Sequence, residues 1–395
     1  MTTEHFLSGN SIRLLKNGEE YFPALETAID RATHEVFLET YIFEPDRAGI
    51  RIGEALKRAA GRGVAVHLML DGFGSRTLPE AFVDEMERTG VHVLFFGQKI
   101  SPWTLRRSRL RRLHRKLAVI DAEVGFVGGI NIIDDRNIPG IPLKGENIPP
   151  RFDYAVEIIG PLVSDIYHSV KNLWILRAWM HFQKPWKESA SPKSQSRSGN
   201  QSAAFLVRDN LRHRRNIEFA YMHAIGSAKK EIIIANAYFF PGLSFRHALL
   251  DAASRGVRVV LLLQGKVEYL LLHYATRALY GKFFDSGIEI YEYHRSLMHA
   301  KVAVIDHHWT TVGSSNIDPF SLLLAREANV VIKDDAFALE LRASLIDAME
   351  QDSRRLLPDS WAKQPLALRF LTWLSYGFVR FLTGMAGYGR DHEFR

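Results

Sequence analysis

The chain has 395 residues, of which 47% are hydrophobic and 24% charged, with a net charge of +7 and no cysteine. That length is too great for one average domain and suits two, each able to bury a sizeable core. The lack of cysteine excludes disulfides and thiolate metal sites, and the basic balance favours an anionic partner, either nucleic acid or an anionic membrane surface.

The opening "MTTEHFLSGN" has no basic stretch leading into an apolar run, so no secretory signal is expected there. "HEVFLETYIF" (34–43) is an apolar run of strand length. "GIRIGEALKRAAGRG" (49–63) has helical spacing and stops at Gly63, a helix C-terminal signal. "VAVHLML" (64–70) is a continuous apolar strand, as expected where helices cover both faces of a sheet. After the strand "GVHVLFF" (90–96) comes "WTLRRSRLRRLHR" (103–115), in which arginines interleave with Trp103 and leucines and run straight into His114. Trp103, Arg106, Arg107, Arg109, Arg111 and Arg112 suit an anionic membrane interface. The same charges would also suit a nucleic-acid backbone or a solvated loop.

"RLHRKLAVID" (112–121) then sets His114, Lys116 and Asp121 in the spacing His-x-Lys-x-x-x-x-Asp, followed by "VGGIN" (127–131) and "RFDYAVEI" (151–158). Residues 183–203, rich in Ser, Pro, Lys and Gln, read as a flexible linker. Beyond it the series returns: "KEIIIANAYFF" (230–240), "SFRHALLDAASRG" (244–256), "VRVVLLL" (257–263), "GIEIYEY" (287–293), "LMHAKVAVID" (297–306), "VGSSN" (312–316) and "LAREANVVI" (324–332). Copies roughly 190 residues apart indicate a duplicated domain, not a solenoid. Strands alternating with helices argue α/β in each copy.

Side chains two apart on a strand share a face, so His114 points with Lys116 and His299 with Lys301. A fixed cation beside an imidazole disfavours its charged form and keeps a neutral, nucleophilic ring accessible. Phosphodiester chemistry needs two proton-handling groups. One His attacks phosphorus and the other protonates the leaving alkoxide, then deprotonates the incoming hydroxyl. Two lysines, with Asn131 and Asn316 after their Gly-rich turns, can stabilise the charge on the transferring phosphoryl group. A pseudo-twofold pairing of the halves would bring these six groups together. No metal is needed when lysines supply the cations. The small residues at 128–129 and 313–315 would let backbone approach a ligand closely.

Asp153 and Glu327 occupy equivalent places after the two motifs, where a carboxylate can fix an imidazole tautomer. Glu327 is expected to steer His299. Asp121 and Asp306 complete the candidate catalytic motifs, but their odd spacing from the histidines points them away, towards a structural role near the strand end. "DHH" (306–308) is a weak zinc motif, because adjacent residues of a strand face opposite ways.

"PLALRFLTWLSYGFVRFLTG" (365–384) reads as a helix with one polar stripe, Arg369, Thr372, Tyr376, Arg380 and Thr383, on a wide apolar surface. An interfacial membrane helix needs such a surface, with Arg369, Trp373 and Arg380 as anchors. Two mid-span arginines argue against a single crossing. If the helix instead packed on a core, its apolar side would be covered.

The paired motifs resemble those of the phospholipase D superfamily over nearly the whole chain. "YAVEIIGPLVSDI" (154–166), "EIIIANAYFFPG" (231–242) and "TVGSSNIDPFSL" (311–322) are similar to the bacterial cardiolipin synthases of the shorter B type. The resemblance implies two duplicated phospholipase D-like domains, 1–182 and 204–360. Each is a mixed β-sheet flanked by helices, and the two share one active site across a pseudo-twofold. A membrane-associating tail (361–395) completes the expected organisation. The implied reaction moves a phosphatidyl group from one phosphatidylglycerol to another and releases glycerol through a phosphohistidine, without cofactor. The superfamily generally favours the first His as nucleophile. The implied setting is the cytoplasmic face of the inner membrane, with anionic phospholipid, phosphatidylglycerol and cardiolipin as partners and no nucleic acid. A phospholipase D-type hydrolase, a nuclease and a scaffold remain open at this point.

Overall fold

The computed structural model describes residues 4–97, 111–137, 148–180, 197–209, 213–266, 270–318, 325–362 and 365–385. The first half runs β1 (Leu7–Lys16), α1 (Asn17–Arg31), β2 (Glu35–Thr40), α2 (Arg47–Gly61), β3 (Ala65–Asp71), α3 (Glu80–Arg88), β4 (Val91–Phe96), the short β5 (Arg112–Leu113), β6 (Lys116–Ile120), β7 (Val124–Gly128), β8 (Tyr154–Ile159) and α4 (Leu162–Met180). The second half follows with β9 (Gln201–Arg208), α5 (Asn216–Ser227), β10 (Glu231–Asn236), α6 (Leu243–Ser254), β11 (Arg258–Gln264), α7 (Leu270–Arg277), α8 (Tyr280–Asp285), β12 (Glu289–Tyr293), β13 (Lys301–Ile305), β14 (Trp309–Gly313) and β15 (Ala325–Lys333). A helix (Asp335–Gln351), β16 (Ser353–Leu356), a short helix (Pro358–Ala362) and the C-terminal helix (Leu366–Met385) close the described chain.

The helix stops read from the sequence have their physical basis here. Gly63 and Gly256 both take φ +86°, a left-handed value that a side chain disfavours. Within each half, parallel strands (β2–β3–β4 and β10–β11–β12) continue into antiparallel ones, giving the expected mixed sheet.

The duplication is visible in the strand order β16-β12-β11-β10-β13-β14-β15-β9-β1-β8-β7-β6-β2-β3-β4. Read outward from the β9–β1 junction, each strand of one half meets its counterpart of the other, apart from the extra edge strand β16. The two sheets therefore join into one. The junction corrects the linker boundary: Ser198 and Gly199 bond Gly9 O, and from Gln201 the chain is a strand paired with β1 and β15. Residues 183–196, the rest of that segment, lie outside the described part.

Three apolar clusters hold the layers. One covers the outer face of the first half (Leu25, Ile52, Leu56, Leu68) and one the outer face of the second (Ile225, Leu249, Leu261). The third draws on both halves, packing Val127, Val156 and Ile166 with Val302, Val330 and Leu341. That shared core fixes the two sheets against each other. A side chain of one half can therefore be held to hydrogen-bond tolerance by the other.

Candidate active site

Both histidines lie just before a central strand, and each is tied by backbone to the opposite half. Strand β5 pairs with β15, and His114 N–H then bonds Arg326 O at 3.0 Å. Met298 bridges Phe152, and His299 N–H bonds Phe152 O at 2.8 Å. The residue after each acceptor is the carboxylate. Glu327 stands 3.0 Å from His114 Nδ1, and Asp153 Oδ2 stands 2.7 Å from His299 Nδ1. The expected Glu327–His299 pair is thus replaced by a crossed arrangement. Sequence equivalence found the right acids but could not show that the twofold exchanges them. With Nδ1 of each ring taken by a carboxylate, Nε2 is the nitrogen left for chemistry. The rings keep 17% and 12% of their side-chain surface, while Glu327 and Asp153 have almost none.

Lys116 and Lys301 are buried beside the histidines. Their ammonium groups donate to His114 O and His299 O, and Lys301 Nζ is 2.9 Å from His299 Nδ1. Burial pushes Lys116 down to about 7, against the pull of Glu327. His114 falls to about 4, chiefly by burial, with Glu327 opposing and Lys116 adding. His299 falls well below its ordinary value by burial and then by the Lys301 charge. Both rings are therefore neutral at physiological pH, as a nitrogen nucleophile requires. The acids differ. Burial lifts Asp153 to about 6. At Glu327 burial is outweighed by His114, Arg208 and Lys116, which hold it below the usual carboxylate range.

The small residues after the motifs serve these acids. A Cβ on Gly129 would lie 2.3 Å from Asp153 Oδ1, so that residue's room is taken by the carboxylate, not by a ligand. The equivalent Ser314 instead donates to Glu327 Oε2 at 2.5 Å. Asn131 and Asn316 sit buried at the ends of the same turns. Asn131 Oδ1 accepts from Ile42 N–H at 3.1 Å.

Asp121 and Asp306 do not join the site. Each heads a hairpin turn at positive φ (50° and 53°), where Asp is tolerated. The Asp121 carboxylate accepts from the N–H groups of Thr33, His34 and Glu35, all at 2.8 Å. Asp306 does the same for Lys229, Lys230 and Glu231. They cap the entry to β2 and β10, so their place in the catalytic set is withdrawn.

The sequence profile described as "Cardiolipin synthase, PLD-like domain" matches residues 25–138 and 221–349. Cardiolipin synthase B of Shigella flexneri is 38% identical over 92% of this chain and 88% of its own length. Its Salmonella typhi namesake is 38% identical over 97% and 91%. The chain belongs to the phospholipase D-like cardiolipin synthase family. The fold agrees with solved structures. Phosphatidylserine synthase of Haemophilus influenzae Rd KW20 superposes with a TM-score of 0.70 at 14% identity, covering 98% of this chain and 97% of that one. Polyphosphate kinase of Porphyromonas gingivalis gives 0.55 at 14%, covering 96% and 53%.

Several residues of this cardiolipin synthase family site escape a reading by motif. Tyr41 packs its ring against His114, 4.8 Å between centroids, with Lys116 Nζ 5.4 Å from the tyrosine centroid. Arg208, fully buried, reaches Glu327 at 3.8 Å and Ser315 Oγ at 3.3 Å. Arg115, between His114 and Lys116, is buried in a bidentate pair with Glu39. In the second copy the pair becomes Ala300 and Ala235. That joint change was the one available signal, because the two positions lie on different strands.

Of the expected membrane contacts, Trp103, Arg106, Arg107 and Arg109 lie outside the described residues. Arg111 is half-buried, and Arg112 places its guanidinium 5.1 Å from the Phe73 ring. The C-terminal helix exposes Leu366, Phe370, Trp373, Leu374, Phe378 and Phe381, while Thr372, Ser375 and Val379 are buried against the protein. Arg369 is exposed and Arg380 half-buried. Tyr376 packs on Phe240 and accepts from Arg246 Nη1 at 3.2 Å. Much of the polar stripe faces inward and the apolar side is uncovered, the opposite of a core-packed helix. Among the described residues no helix is long and apolar enough to cross a membrane.

Proposed function

We propose that the protein is a cardiolipin synthase that moves a phosphatidyl group from one phosphatidylglycerol to a hydroxyl of a second and releases glycerol. The observation that carries the reading is the crossed pair of neutral imidazoles, each held at Nδ1 by a carboxylate from the other half, with two buried lysines beside them. In this reading the anionic phosphate of the bound lipid brings a proton onto His299 Nε2, His114 Nε2 attacks phosphorus, and His299 gives that proton to the departing glycerol oxygen. His299 then takes the proton of the incoming hydroxyl, and the phosphorus–nitrogen bond breaks as the new phosphorus–oxygen bond forms. Glu327 stabilises charge on His114, and Asp153 holds the tautomer of His299. Lys116, Lys301, Asn131 and Asn316 bind the phosphoryl oxygens.

The assignment of His114 as nucleophile is supported by its partner. Glu327 stays ionised and is backed by Arg208, so the positive ring of a phosphohistidine has a permanent counter-charge. Asp153, near 6, suits a ring that gains and loses a proton in each cycle. The uncovered apolar face of the C-terminal helix, with the basic residues before His114, supports peripheral docking on an anionic phospholipid surface.

The test is incubation with labelled phosphatidylglycerol in liposomes and separation of the lipids. Cardiolipin with glycerol supports the reading. Phosphatidic acid as sole product replaces the transferase by a hydrolase.

A further inference from the structure

The two copies are not equally closed around their histidines. Register and the bridges Phe43–Ile132 and Phe239–Ile317 make Tyr41 and Ala237 equivalent. In the first half the Tyr41 ring covers His114. In the second half the place holds only a methyl group. The next strand repeats the contrast. Asp71 ends β3 and accepts from the N–H groups of Phe73, Gly74 and Leu113, which closes the loop down. Its counterpart Gln264 ends β11, is only 9% exposed, and has a buried Nε2 with no hydrogen-bond partner among the described residues. A buried amide donor without a partner costs roughly 1–3 kcal/mol and points to a ligand that supplies the acceptor.

The space so left is a small, open pocket whose polar lining is Gln264, Lys266, His273 and Thr276 beside Ala237 and Tyr238, with Phe239, Leu263, Leu272 and Tyr280 as its other walls. Ala237 N–H bonds Ala300 O, so the pocket adjoins the strand of His299 and Lys301. Inside, burial keeps His273 neutral, at about 4, so it offers one donor and one acceptor. Lys266 is exposed at the rim and donates to Arg295 O at 3.1 Å. Neutral hydrogen-bonding groups within and a cation at the mouth match a polyol that carries a phosphate. The pocket is lined in part by α7, against which the C-terminal helix packs with its apolar face uncovered. A head group seated here therefore has a lipid-facing surface beside it.

Resting on the synthase reading, we propose that this pocket holds the phosphoglycerol head of the acceptor lipid, its free hydroxyl turned towards His299 and its own phosphate at Lys266. The acceptor oxygen bonds to phosphorus as the bond to His114 Nε2 breaks, and the hydroxyl proton passes to His299 Nε2. Water needs no such seat. The pocket therefore sets the choice between lipid acceptor and water.

The experiment uses the full chain with labelled phosphatidylglycerol vesicles and reads the ratio of cardiolipin to phosphatidic acid. Gln264→Leu removes the donor, and Ala237→Tyr rebuilds the closure of the first half. Each is expected to lower that ratio about tenfold, the worth of one good hydrogen bond. An unchanged ratio in Gln264→Leu overturns the proposal, whether or not Ala237→Tyr folds. Equal loss of both products also overturns it, since that is what a purely structural role gives. If the unsubstituted protein makes phosphatidic acid and no cardiolipin, the synthase reading fails and the acceptor pocket with it.

Discussion

Asp153 Oδ2 lies 2.7 Å from Nδ1 of His299, a residue of the other half, and Glu327 returns the contact to His114. Neither half therefore holds a complete catalytic imidazole. Asp153→Asn or Glu327→Gln keeps the shape but removes the charge that fixes tautomer and stabilises the imidazolium. Turnover should fall about 10³–10⁴-fold, while the folded structure, followed by circular dichroism, persists. A loss of less than about tenfold would show that the carboxylates serve packing alone.

The pH profile follows from two shifted groups. Asp153, raised by burial to about 6, accepts Nδ1–H only when ionised, so activity falls as pH drops through that value. Lys116, lowered by burial to about 7, binds phosphate only when charged, so activity falls as pH climbs through that value. A plot of kcat/KM against pH, which reports the free enzyme, should be bell-shaped with its maximum between these limits. The two groups interact, so the apparent values belong to the site as a whole. Lys116→Arg should carry the alkaline limb beyond pH about 9, because guanidinium keeps its proton there. An unmoved alkaline limb would remove Lys116 from the profile.

Asp121 and Asp306 should behave as fold residues. Removing a carboxylate that accepts three backbone N–H groups leaves those donors without it and places Ala at positive φ. Asp121→Ala should cost about 2–4 kcal/mol in urea unfolding, and Asp306→Ala a similar amount. Turnover per folded molecule should stay within about threefold of the unsubstituted protein. A hundredfold fall at full stability would return them to the chemistry.

The duplication, the two motifs, both glycine stops and both orienting acids were legible because each is a local pattern repeated twice. The parity of a strand even removed Asp121 and Asp306 from the histidine face. What was not legible is what the twofold does in space. Glu327 and His299 are close in sequence and on one unit, and only the pairing of β5 with β15 reveals that the acid serves His114. Arg208 and Tyr41 were hidden for a different reason. Each works through a partner far along the chain, so no spacing marks it. The end of the expected linker, Gln201–Ala203, is the start of strand β9; two polar residues and an alanine resemble a linker until β1 and β15 flank them.

The C-terminal helix gives the last prediction. Its exposed Phe370, Trp373, Phe378 and Phe381 are large apolar groups in water, while Thr372 and Ser375 are buried. Burying one such side chain is worth about 1.5–3 kcal/mol, so replacing two of them should weaken vesicle binding at least about a hundredfold. Trp373→Ser with Phe378→Ser should therefore abolish cosedimentation with phosphatidylglycerol vesicles. The melting temperature should hold, because these residues are not part of the packed face. Val379→Asp acts from the other side. It places a charge where the helix is fully buried, so it should free the helix from the protein while leaving the apolar face intact. Vesicle binding should then survive with slower turnover, since the helix no longer fixes the mouth of the site to the bilayer. If the double substitution leaves binding unchanged, the apolar face is not the docking surface, and the basic segment before His114 must carry the attachment alone.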